Sequence, residues 1–168
     1  MIINRSSINT PLIVACINKN EEIVKLIIES ATDVNKKDEL RQTPLTIAYD
    51  LNNKNIIKLL IENGANVNGE GRYKITPLFI VCEKRNENMV KYLIERGADT
   101  TKKTVYDLTP LDKICYNVNV KSVHPASLGN FTESYINKNI AKLLIENGVN
   151  VNSHPFCIQP QNLDIKIW

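Results

Sequence analysis

Apolar and polar positions along this chain fall into short helical segments that come in pairs. Ile23, Val24, Leu26 and Ile27, like Met89, Val90, Tyr92 and Leu93, recur at the spacing that lines one side of a helix, which predicts a buried stripe on each segment. Each such segment follows an Asn, at Asn20, Asn53, Asn86 or Asn137, and Asn is a good helix cap because its side-chain oxygen accepts an otherwise orphaned backbone N–H. A second kind of start signal precedes each of these. Thr-Pro-Leu occurs at Thr10, Thr43, Thr76 and Thr109, with the Thr placed to cap a helix and the Pro in the first turn, where its missing N–H costs nothing. Gly64, Gly97 and Gly148 close three of the second helices at the position where the backbone turns left-handed, and Ala31 stands there in the first.

The four Thr-Pro-Leu sites are 33 residues apart. The sequence LIENGANVN from Leu60 recurs as LIERGADTT from Leu93, as LIENGVNVN from Leu144 and loosely as IIESATDVN from Ile27. Period, tripeptide and Gly-Ala-Asn-Val-Asn together resemble the ankyrin-repeat family from about Ser6 to Asn152. The resemblance implies an all-α repeat solenoid, a stack of antiparallel helix pairs joined by β-hairpin-like loops. It divides a single domain, residues 1–168, into repeats of about 5–37, 38–70, 71–103 and 104–153, with residues 154–168 as a partial capping unit. Since one unit cannot bury its own apolar face, stability is expected from stacking, with Ile2 and Ile3 available to cover the first pair and Phe156 to Trp168 the last.

The chain departs from the family pattern in three places. The His that usually follows Thr-Pro-Leu and ties neighbouring loops is replaced by Ile13, Thr46, Phe79 and Asp112, so that network is expected to be missing. The Gly two residues before the Thr is replaced by Ile8, Arg41, Lys74 and Asp107, which puts the usual loop geometry in question. The fourth repeat carries 18 extra residues between its helices, about 118–135, either a solvated loop or an arm that contacts a partner.

Composition narrows the functions on offer. The net charge of +3, with 43 % hydrophobic and 23 % charged residues, is that of an ordinary folded protein and calls for neither nucleic acid nor membrane. No apolar run reaches the ~20 residues that span a bilayer, and no signal sequence opens the chain, so the cytosol or nucleus is the expected compartment. Lys25, Lys58, Lys91 and Lys142 form a column on the outer helices, but Glu29, Glu62, Glu95 and Glu146 follow one turn later and neutralise it. Cys16, Cys82 and Cys115 share one inner-helix position, where helix packing at about 8–10 Å exceeds the ~7 Å that a disulfide tolerates; they read as small buried residues, and Cys157 in the tail as the candidate for an exposed thiol. His124 and His154 have no partner at metal-binding spacing, so no metal and no cofactor is expected. No catalytic set stands out, and the chain reads as a non-enzyme. Asn35, Asn68 and Asn152, which match a position hydroxylated in some relatives, are read as hydrogen-bonding residues.

Ankyrin proteins generally bind partners with the concave face formed by loop tips and inner helices. On the resemblance, those positions hold Leu40, Gln42, Arg72, Tyr73, Ile75, Tyr106 and Leu108 on the loops, and Asp50, Leu51, Glu83, Lys84, Tyr116 and Asn117 along the inner helices. Tyr and Arg on such a ladder are residues that dominate binding energies. The expected function is therefore capture of a partner protein, as adaptor or competitive inhibitor, by a chain that is a monomer when unbound. The competing reading is a substrate-recruiting or regulatory subunit that docks through the insertion and tail.

Overall fold

The computed structural model describes residues 9–116 and 137–150. Among them lie eight α-helices and no strand: α1 (Pro11–Ile17), α2 (Glu21–Glu29), α3 (Pro44–Asp50), α4 (Lys54–Glu62), α5 (Pro77–Glu83), α6 (Glu87–Glu95), α7 (Pro110–Tyr116) and α8 (Lys138–Glu146). Seven-residue inner helices alternate with nine-residue outer ones, the all-α repeat solenoid that the resemblance implies. The insertion at about 118–135, the tail and the Ile2 and Ile3 positions lie outside the described residues.

The caps are those read from the sequence. Thr10, Thr43, Thr76 and Thr109 each accept, through Oγ1, the N–H of the residue three positions on, at 3.1 to 3.3 Å. Asn20, Asn53, Asn86 and Asn137 do the same for the outer helices at 3.1 to 3.2 Å. Helices this short are marginal alone, so a satisfied first turn and tertiary packing must both be present.

The chain forms two compact units, Met1–Ile80 and Val81–Trp168. In the first, α1 packs on α2 and α3, α2 on α4, and α3 on α4. Its core is Leu12, Ile13, Leu45, Ile56, Ile57 and Leu60, all at 1 % exposure or less. In the second unit α6 and α7 both pack on α8, around Val90, Leu93, Leu111, Ile114, Ile140 and Leu144.

Two outer helices bury positions i, i+1 and i+4, Ile56, Ile57 and Leu60 on α4 and Ile140, Ala141 and Leu144 on α8, while α6 buries Val90 and Leu93. The stripe expected on α2 is largely not buried. Val24 is its one buried residue, while Ile23 is 45 % and Leu26 64 % exposed. The reason is positional. No described helix packs on the far side of α1 and α2, so Ile23, whose equivalent Ile56 is fully buried, borders an open cleft with Val14 and Ile27.

The loop geometry put in question by the missing glycines is kept at the described positions, and Ile8 lies outside them. Arg41, Lys74 and Asp107 adopt φ of 63°, 57° and 61°, so the left-handed geometry is kept without glycine. At the position of the missing His, Thr46 and Asp112 supply a local substitute. The Thr43 N–H donates to Thr46 Oγ1 at 2.9 Å, and the N–H and hydroxyl of Thr109 both lie 2.8 Å from Asp112 Oδ2. Each closes a reciprocal cap at the start of its own inner helix. Ile13 and Phe79 have no side-chain group that could do this, and are simply buried.

Ala31 offers a clean stability test. It holds φ of 59° where Gly64, Gly97 and Gly148 hold 85°, 82° and 101°, and a Cβ at any of those glycines would meet nothing within 4 Å. Backbone conformation alone separates the residues, at about 1 kcal/mol. Ala31→Gly is expected to raise the unfolding free energy and Gly64→Ala to lower it, by about 1 kcal/mol each, as read from urea titrations by linear extrapolation.

Candidate functional site

Each of the described loops, those that lead into α3, α5 and α7, is a compact finger whose tip is fixed by hydrogen bonds at its base. In the second repeat, Asp38 and Gln42 close the finger: the Asp38 N–H donates to the Gln42 carbonyl at 3.0 Å, and the Gln42 N–H donates to Asp38 Oδ1 at 2.7 Å. Asp38 is buried, 8 % exposed, so its carboxylate belongs to the turn. The fourth repeat uses Thr104 in the same place, with its N–H on the Leu108 carbonyl at 2.9 Å and its Oγ1 accepting from the Tyr106 and Leu108 N–H groups. The third has Gly71, whose N–H reaches the Ile75 carbonyl at 2.8 Å. A Cβ there would come within 3.3 Å of Thr46 Cγ2 and Oγ1, a tight contact that glycine avoids. With no side chain to cap the turn, the backbone tightens into a 3-10 turn over Arg72–Lys74, and Tyr73 itself takes φ of 58°.

These turns decide what the tips present. In the first unit Leu40 and Tyr73 are 42 % and 43 % exposed, Arg72 is exposed with its guanidinium 4.7 Å from the centre of the Tyr73 ring, and Gln42 and Ile75 are half-buried at the finger bases. Asp50 is exposed at the end of α3, and Leu51 after it is half-buried. Gly69 and Gly71 would bring a Cβ against Thr43 and Thr46, so the third finger rises beside the start of α3, directly after the second finger. The first unit thus assembles Leu40, Gln42, Arg72, Tyr73 and Ile75 on adjoining fingers.

In the second unit Tyr106 is half exposed, beside Val105 at 53 %, and Leu108 is half-buried. Lys84 and Glu83 are exposed at the end of α5, but Glu83 is engaged: its Oε1 lies 2.7 Å from Lys113 Nζ, whose side chain is only 6 % exposed. Tyr116 ends α7, and Asn117 lies outside the described residues.

Three further tip residues stand exposed beside the candidates without having been singled out from sequence: Val105, Arg41 and Lys74. Val105 could have been found from its place between the finger base Thr104 and Tyr106. Arg41 and Lys74 were legible only as missing glycines, although both are exposed.

The remaining chemistry is structural. Cys16, Cys82 and Cys115 are free and buried, and burial pushes the Cys16 thiol up to about 12 and Cys82 higher still, so neither is a thiolate at neutral pH. Asn35 joins neighbouring repeats, its Nδ2 donating to the Gly64 carbonyl at 3.2 Å and its Oδ1 accepting the Asn66 N–H at 2.7 Å. Asn152 and Cys157 lie outside the described residues. The Thr101 hydroxyl and N–H hold the Asp99 carboxyl below its usual range. The outer column is paired as expected at Lys58 with Glu62 and Lys142 with Glu146, both at 3.8 Å. Among the described residues no cluster of His, Cys, Asp and Glu could hold a metal ion, and no helix is long and apolar enough to cross a membrane.

Comparison with known families agrees with this architecture. Residues 1–71 match a family model of ankyrin repeats in three copies, and residues 60–114 a model of ankyrin repeats in many copies. No curated protein matches the chain. With helix pairs at the repeat spacing, capped fingers between them and family matches across residues 1–114, this chain belongs to the ankyrin-repeat family.

Proposed function

We propose that the chain holds a partner protein on its finger tips and the adjoining ends of its inner helices, as an adaptor or competitive inhibitor. Ankyrin repeats are generally protein–protein interaction modules. The observation that supports this site is the exposure of Leu40, Tyr73, Val105 and Tyr106, at 42 to 53 %, on tips whose backbones are tied down by hydrogen bonds. Large apolar side chains in water are a standing cost that contact with a partner relieves. Tips that are already ordered lose little entropy on docking.

Replacing both Tyr73 and Tyr106 by Ala tests the reading. Each ring is a candidate anchor worth about 2 kcal/mol, or about 30-fold in affinity. The double variant is expected to lose partner capture while its melting temperature moves little, since Ala at position 73 carries the same left-handed strain as Tyr. Capture that survives in the double variant places the binding surface elsewhere.

A further inference from the structure

We infer that the fingers of the first unit take an acidic protein segment carrying aromatic or aliphatic anchors, a reading that rests on the finger tips being the binding surface. The two segments 36–42 and 69–75 carry five cations, Lys36, Lys37, Arg41, Arg72 and Lys74, and all five are exposed. They carry three carboxylates, of which Asp38 is buried in its turn, Glu70 is half-buried and Glu39 alone is exposed. Among the described residues, no carboxylate pairs with Lys36, Lys37, Arg41 or Lys74. The outer helices of the same unit have the opposite balance. On α2 and α4 three lysines face four glutamates, with Lys58 held by Glu62 and Glu21 bonded to Asn55. Charge is therefore sorted to one side, and within a Debye length of about 8 Å unpaired cations steer and orient an acidic partner.

A second observation points the same way. Arg41 and Lys74 stand in the left-handed conformation, φ of 63° and 57°, that glycine adopts without cost. The turn geometry needs no side chain there. Two basic side chains are nonetheless held at the tips, at a cost to stability. They flank Leu40 and Tyr73, so the surface alternates cation and apolar anchor. That alternation fits a segment in which Asp or Glu alternates with Leu, Phe or Trp. A nucleic-acid backbone would be served by cations alone, and gains little from Leu40 and Ile75.

The test pans a random displayed peptide library on the intact chain and measures the enriched peptides by fluorescence anisotropy. The expected peptides are rich in Asp and Glu around aromatic or aliphatic residues, and their affinity falls with added salt. Arg41→Gly with Lys74→Gly is expected to weaken them by about tenfold or more while the melting temperature holds or rises. Arg41→Gln with Lys74→Gln, which keeps the backbone strain, is expected to lose the same affinity. Enriched peptides that are basic or uncharged, yet lost on Tyr73→Ala, overturn the acidic chemistry and leave the finger site standing. Binding indifferent to both the Tyr73 and the Arg41/Lys74 changes, or no enrichment at all, overturns both. A fluorescent oligothymidylate held more tightly than any peptide overturns the protein partner in favour of a nucleic acid.

Discussion

Ile56→Ala is expected to lower the stability of the first unit by about 3 kcal/mol, and Ile23→Ala by about 1 kcal/mol, although the two isoleucines occupy the same place in successive repeats. Both follow a capping Asn by three residues and both N–H groups donate to that Asn at 3.1 Å. Substitution by Ala leaves those bonds intact, so only packing differs. Ile56 is fully buried, with α2 packed against its helix, and its truncation removes the side-chain transfer energy and leaves a cavity. Ile23 is 45 % exposed, and the cleft it borders is already open, so its truncation loses little more than partial burial. Urea titrations followed by the helical circular dichroism signal give the two values. Equal losses would mean that a further segment covers Ile23 in solution.

The second large effect is expected at the Glu83–Lys113 pair. Glu83→Ala should destabilise the second unit by about 2 kcal/mol, whereas Lys113→Met should change stability by less than about 1 kcal/mol. The asymmetry follows from burial. Lys113 has a side chain 6 % exposed on α7, with its ammonium 2.7 Å from the carboxylate, while the Glu83 side chain is 47 % exposed. Removing Glu83 takes away the carboxylate that lies 2.7 Å from a buried ammonium. Removing the ammonium leaves a carboxylate that water can reach, and Met fills the same space. The expected value for Glu83→Ala lies below that of a fully buried pair because solvent already screens one partner. Thermal and urea unfolding of both variants decide the matter, and a Lys113→Met loss as large as that of Glu83→Ala would sink the argument. A drop in partner binding by Glu83→Ala has to be compared with Lys84→Ala, because Glu83 serves the fold as well as the surface.

Much of the repeat was legible because its signals are local. Thr-Pro at Thr43 or Thr109 and Asn at Asn53 or Asn137 act within three residues of themselves, and so do the left-handed glycines. The substitutes for the missing His were not foreseen, since Thr46 and Asp112 acquire their meaning from the Thr three residues earlier and from the burial that makes each bond count. The candidate fingers were found from the family position of Leu40, Tyr73 and Tyr106, all of which are exposed. The cationic tips beside them were missed because a residue in place of glycine reads as a loss, and its direction into solvent depends on a turn that sequence does not specify.

From sequence alone came the repeat, the helix starts and stops, and the division into inner and outer helices, because caps, prolines and periodicity operate over one helical turn. What needed the tertiary structure was every property set by a neighbour. Ile23 and Ile56 are indistinguishable by pattern, and only packing exposes one and buries the other. Lys113 and Glu83 are 30 residues apart and look like two surface charges until α5 and α7 bring them to 2.7 Å. The same holds for the fingers, where a left-handed Arg41 and Lys74 keep the family's turn and turn its missing glycines into a basic, apolar-studded surface.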